Sequence, residues 1–85
     1  MLTENIHALS YVKRSKNRQQ VVKLISTSTK TPSEITEESN LRFSLVSAIL
    51  ADLKKENIII CLNENEKKGR IYKLTDVGLD IYDEL

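Results

Sequence analysis

Two groups of cations lie close enough along the chain to act together: Arg14, Lys16 and Arg18 near its start, and Lys67, Lys68 and Arg70 further on. Guanidinium and ammonium groups set this close suit an extended anion such as a phosphodiester chain, whose charges repeat along a line. Bond-making chemistry has less support. No nucleophile and base pair, glycine-rich phosphate loop or carboxylate cluster stands at a workable spacing, and Gly69 and Gly78 are accounted for by a turn and a helix. The chain therefore reads as a non-enzyme that needs no cofactor. Cys61 and His7 are each the only residue of their type, which rules out an intrachain disulfide and a closed Cys/His zinc site, so no metal is expected. Cys61 lies within the apolar run Ile58 to Leu62 and reads as a small buried hydrophobe.

Net charge is only +1, but the mean conceals a segregation. From Asn5 to Ser33 there are six basic residues and no acidic one, whereas from Thr75 to the end Asp76, Asp80, Asp83 and Glu84 stand without a base. Among the bases of the first half, Lys13, Lys23 and Lys30 read as solvated side chains. With 85 residues, 40% of them hydrophobic and 29% charged, the sequence describes one small globular domain spanning 1–85. No apolar stretch exceeds five residues, and the first ten carry neither a basic nor an apolar leader pattern. Membrane and secretory readings fail on that ground, and a cytoplasmic location is expected.

The elements that must position the cations follow in order. Leu2, Ile6, Leu9 and Lys13 recur at helical spacing and predict a short amphipathic helix, with a strand beginning at Tyr11 and Val12 as the alternative. Ser15 can cap a second helix, in which Val21, Val22, Leu24 and Ile25 form a broad apolar stripe. The weak helix formers of "STSTK" end it. Thr31-Pro32-Ser33-Glu34 carries a reciprocal cap with proline at the first helical position. That helix is short, because Ser39 and Asn40 offer competing local bonds and a tight turn through Asn40 and Leu41. The next helix runs from about Arg42 to Glu56, with Val46, Ile49, Leu50 and Leu53 on its core side. Ser44, Ala48, Ala51 and Lys55 face away from that stripe, Ser47 lies on the flank, and Arg42 stands at the N-terminal end. Asn57 can close the helix in a left-handed conformation. Ile58 to Leu62 and Arg70 to Leu74 predict a hairpin around the basic loop 63–70, with Tyr72 and Leu74 inward, and Thr75 caps a last helix reaching Leu85.

A short helix, a tight turn and a longer helix with a small polar outer face make a helix-turn-helix, and the basic hairpin after it makes a wing. In "YVKRSKNRQQVVKLI", "KTPSEITEESNL", "VSAILADLKKENII" and above all "KKGRIYKLTDVG" the sequence resembles the winged helix-turn-helix regulators of archaea, similar to ArsR-like and MarR-like transcription factors. The resemblance implies a mainly α fold: a three-helix core, a small antiparallel two-stranded β-wing and a C-terminal helix that serves homodimerisation. It also implies double-stranded DNA as partner, bound within the nucleoid, with helix 42–56 in the major groove and wing 63–70 on the backbone. Arg14, Lys16, Arg18, Lys67, Lys68 and Arg70 would neutralise phosphates, and Arg42, Ser44, Leu45, Ser47 and Ala48 would face base edges. Repression by blocking a promoter is the simplest consequence. Two residues depart from the family pattern. Ala48 replaces a long polar side chain, leaving it only a thymine methyl to touch, and Thr36 replaces an alanine at a helix contact, which predicts a wider approach or a hydroxyl bonded to its own helix. The near-neutral charge keeps open a rival, a winged helix used for protein–protein interaction without DNA.

Overall fold

Three side-chain oxygens set three helix starts. In the computed structural model, which describes residues 5–85, Ser15 Oγ accepts from the Arg18 N–H at 3.3 Å, Thr31 Oγ1 from Glu34 at 3.2 Å and Thr75 Oγ1 from Gly78 at 3.1 Å. These are the three caps expected from sequence. At Thr31 the cap is reciprocal, its own N–H donating to Glu34 Oε1 at 2.9 Å. That bond holds the Glu34 carboxyl below its ordinary range. The stabilisation it brings is therefore complete above the ordinary carboxylate value and is lost as pH falls through the lowered one.

Between these caps run α1 (Ile6–Lys13), α2 (Lys16–Ile25), β1 (Thr29–Lys30), α3 (Pro32–Ser39), α4 (Phe43–Lys55), β2 (Ile59–Cys61), β3 (Tyr72–Leu74) and α5 (Asp76–Asp83). The fold is mainly α with one small antiparallel sheet of order β1-β3-β2. In that sheet Thr29 pairs with Lys73 and Lys30 with Tyr72, while Ile59, Ile60 and Cys61 pair with Leu74, Lys73 and Tyr72. Val21, Val22, Ile25, Ile35, Val46, Leu50, Leu53, Ile58, Leu74 and Ile81 pack into one core beneath it.

The structure corrects several expectations. The sheet has three strands rather than two, because "STSTK" does more than end α2. Ser26 turns the chain out of the helix at φ 51°, and Thr29–Lys30 then joins the free edge of β3. Lys30, read as a solvated side chain, is in addition paired at the surface, its Nζ lying 2.9 Å from the Glu38 carboxylate. The run Ile58 to Leu62 is buried only in part. Helices cover one sheet face alone, so Ile58 and Ile59 are inside while Ile60 and Leu62 are exposed and Cys61 is half-buried. The first segment is helical through Tyr11 and Val12, but its buried residue is Val12 and Ile6 stands half-exposed. Leu2, the first member of the predicted stripe, lies outside the described residues. Asn57 ends its helix at φ 60°, as expected, and Asn40 makes its turn in the same left-handed conformation at φ 61°.

Of the two expectations for Thr36, the hydroxyl bonded to its own helix is not realised. Its Oγ1 is buried and has no hydrogen-bond partner, within its own helix or elsewhere among the described residues. The carbonyl of Thr36 instead accepts from Ser39 Oγ at 3.5 Å, and Ser39 Oγ accepts from the Leu41 N–H at 3.1 Å, which tightens the turn into α4.

α5 reaches the sheet through one crowded junction. The Thr75 N–H donates to the Ile58 carbonyl at 3.0 Å and its hydroxyl donates to the Asn57 carbonyl at 2.7 Å. Gly78 lies directly over this point. A Cβ there would collide with the Ile58 carbonyl oxygen and meet Leu74 Cβ at 3.0 Å.

Two stability outcomes are expected in thermal melts. Gly78→Ala, a change that normally favours a helix, should lower stability by about 1–3 kcal/mol because backbone has to move; a melting temperature equal to wild type would show that the approach is not tight. Thr36→Val keeps the shape and removes the unpaired hydroxyl, and should raise the melting temperature by about 4–8 °C for roughly 1 kcal/mol.

Candidate nucleic-acid interface

Because Ser39 and Leu41 lock the α3–α4 turn, α4 sets off directly from the end of α3. Arg42 occupies the N-cap with no side-chain cap bond, and the first turn of α4 holds no acid. Its end therefore keeps its positive dipole unopposed. Arg42, Ser44, Leu45, Ser47 and Ala48 are all exposed, so every residue assigned to base reading from sequence is on the surface. The outer face is less polar than expected, since Phe43 is 54% exposed and Leu45 38%.

The loop between β2 and β3 is braced from within. Asn63 Oδ1 accepts from the Ile71 N–H at 2.7 Å, and its Nδ2 donates to the Gly69 carbonyl at 3.1 Å. Arg70 Nε donates to the Glu66 carbonyl at 2.9 Å, and Gly69 takes φ 68° to close the turn. Lys67 and Lys68 are held at the exposed tip. Glu64 pairs with Lys54 of α4, which ties the loop to the helix. Their hydrogen bond raises the Lys54 ammonium and lowers the Glu64 carboxyl from their ordinary values. It also leaves the charge of Lys54 matched, so the cations available to a ligand on this side are Lys67, Lys68 and Arg70.

Between loop and helix lies an open groove of about 720 Å³. Phe43, Ser47 and Ala51 line it from the helix, Lys67, Lys68 and Arg70 from the loop, and Pro32 from the start of α3. The structure thus brings Ser47 and the three loop cations together around one concavity. Phe43, Asn63 and Lys54 belong to this site although no motif in the sequence marks them.

The other cation group is split. Arg14 and Lys16 are exposed in the α1–α2 turn. Gln20 Nε2 donates to the Ser39 carbonyl at 3.4 Å, which puts this side of α2 beside the α3–α4 turn, and Lys16 lies one helical turn before Gln20 on the same face. Arg18 turns inward. Its Nη1 donates to the Tyr11 carbonyl at 2.8 Å and its guanidinium lies 3.8 Å from the Tyr11 ring centroid. Burial pushes the Tyr11 hydroxyl up from its ordinary value, against the opposing pull of Arg18. Arg18 thereby joins α1 to α2.

A sequence model described as winged helix-turn-helix matches residues 13–85. The chain belongs to the winged helix-turn-helix family. Its wing is the braced loop with β2 and β3, and its second motif helix is α4. Solved structures agree on the fold. Reduced MarR from E. coli superposes with a TM-score of 0.76 at 25% identity, covering 92% of this chain and 59% of that one. Reduced HlyU from Vibrio cholerae gives 0.79 at 15% identity, covering 98% and 86%. TubR of Bacillus thuringiensis, solved bound to 24 bp of tubC, gives 0.75 at 15%, covering 98% and 92%. The winged-helix chain thus spans about three-fifths of the MarR chain. No curated protein matches the sequence itself. Among the described residues no helix is long and apolar enough to cross a membrane.

A division of labour among the three early cations should be visible in melts. Arg18→Ala is expected to cost about 1–2 kcal/mol by removing the carbonyl bond and the ring stacking, whereas Arg14→Ala and Lys16→Ala should stay within about 0.5 kcal/mol of wild type, roughly 2–4 °C in melting temperature. Equal melting of all three would remove the structural role given to Arg18.

Proposed function

We propose that the chain is a double-stranded DNA-binding transcription regulator, of the ArsR-like and MarR-like kind that its sequence resembles in archaea. In this reading residues 1–85 act as one DNA-binding domain. The observation that carries the proposal is the groove, which the exposed start of α4 shares with three cations of the wing. A major groove roughly 12 Å wide admits a helix, and a polyanion beside it meets the wing. Arg42, Ser44, Leu45, Ser47 and Ala48 then face base edges. Lys67, Lys68 and Arg70 neutralise phosphates on one side, Arg14 and Lys16 on the other, and Arg18 adds only the part of its charge that the Tyr11 ring leaves accessible. The family match and the DNA-bound TubR structure support the same direction. Repression by occupying a promoter within the nucleoid is the simplest outcome.

The acidic C-terminal helix points the reading toward a homodimer, because its acids suit a surface away from DNA. Leu79, Tyr82 and Leu85 are partly spent on the chain's own core, so the apolar area left for a partner copy is what these residues still expose next to half-exposed Ile6. A two-fold dimer would favour inverted half-sites about 10 bp apart or a multiple of that.

Exposed Ile60, Leu62 and Phe43 favour the rival reading, a protein-interaction module. Titration of duplex DNA over a range of salt separates the two. DNA binding predicts affinity that falls steeply with salt, with a log–log slope shallower by roughly 2–3 once Lys67, Lys68 and Arg70 are all changed to alanine. Absence of binding at low salt sinks the DNA reading and leaves the interaction module. Selection from random duplexes then tests the dimer, for which an inverted repeat among the winners is expected.

A further inference from the structure

Phe43 occupies the first position of α4 with more than half of its surface open to solvent, and nothing in the core requires it there. The ring lines the groove with Ser47 and Ala51 and shares it with Lys67, Lys68 and Arg70. An aromatic side chain held open in one groove with three cations faces whatever polyanion those cations draw in. The rest of the outer face offers few means of reading hydrogen-bonding patterns. Ser44 and Ser47 have short hydroxyls, Ala48 and Ala51 have none, Lys54 is paired with Glu64 and Lys55 stands at the C-terminal end, so at the start of α4 Arg42 is the one long side chain able to reach a guanine edge. Apolar surface is what this face has in quantity, with Phe43 on the groove side and Leu45 on the other flank.

One base presents an apolar group on its major-groove edge, and that base is thymine, through its C5-methyl. We infer that Phe43 is a specificity-determining residue that packs on thymine methyls, so that the site selects A·T pairs at the positions met by the start of α4. Discrimination then comes from removing methyl and ring surface from water together, with the wing cations supplying affinity that is blind to sequence. The inference rests on the proposed DNA-binding function.

The test uses the whole chain and the sequences that win the selection from random duplexes, each synthesised once with thymine and once with uracil, which lacks only the methyl. Wild type is expected to bind the uracil duplexes about fourfold more weakly for each methyl group that Phe43 would otherwise cover. Phe43→Ala, checked for native helicity by circular dichroism, should bind the thymine duplexes more weakly and show a thymine-to-uracil ratio close to one. Phe43→Leu, which keeps an apolar side chain, should retain much of the ratio and guards against a folding defect in the alanine variant. Salt-dependent binding with the same ratio in wild type and Phe43→Ala overturns the methyl reading and leaves DNA binding intact. No binding of any duplex at low salt overturns both, as it would if Phe43 anchors a protein partner.

Discussion

The geometry depends on the junction where α4 gives way to the sheet. Asn57 reverses the chain in a left-handed conformation, and the next carbonyl, that of Ile58, becomes the point on which the C-terminal third is hung. The Thr75 N–H donates to it, the Thr75 hydroxyl bonds the carbonyl just before it, and the same hydroxyl oxygen caps α5 at Gly78. Three elements thereby share one small polar cluster, and only a residue without a Cβ fits over it. Since β2 leaves this junction and β3 returns to it, the direction of the wing relative to α4 is decided here. A few hydrogen bonds suffice because Ile58, Leu74 and Ile81 exclude water around them.

Placement of the wing continues outward by the same kind of device. Asn63 ties the two ends of the loop together and Glu64 ties the loop to Lys54. Glu64 is thus occupied in holding shape, and the basic residues of the wing are left at the tip and the groove wall. This is how a chain of net charge +1 presents a cationic face: several acids are bonded internally, and others are gathered on α5. Net charge describes the whole molecule, whereas an approaching polyanion within a screening length of about 10 Å responds to the nearest side chains.

Two residues show how position in the tertiary structure reassigns chemistry. Arg18 belongs by sequence to a basic cluster, yet its guanidinium lies on Tyr11 because α1 folds back along α2 at a two-residue turn. Thr36 belongs by sequence to a polar helix, but its hydroxyl is enclosed without a partner among the described residues. Such an unpaired hydroxyl costs stability that the surrounding apolar packing offsets.

Much of the fold was legible in the residues alone. Caps at Ser15, Thr31 and Thr75, the turn at Asn40, the left-handed end at Asn57 and the stripe Val46, Ile49, Leu50 and Leu53 are local matters, settled by side chains a turn or less apart, and each is seen in the structure. Strand β1 was not legible, since two residues carry no period and Thr29 and Lys30 become a strand only because β3 has an edge to offer. Neither was the exposure of Phe43. Seven positions before Leu50 it shares that residue's face, and periodicity alone would bury it. Phe43 is exposed because its side of α4 borders the open groove toward the wing, whereas Val46 in the same turn is buried, and which side of a first turn is covered depends on how the other elements pack, which no local pattern records.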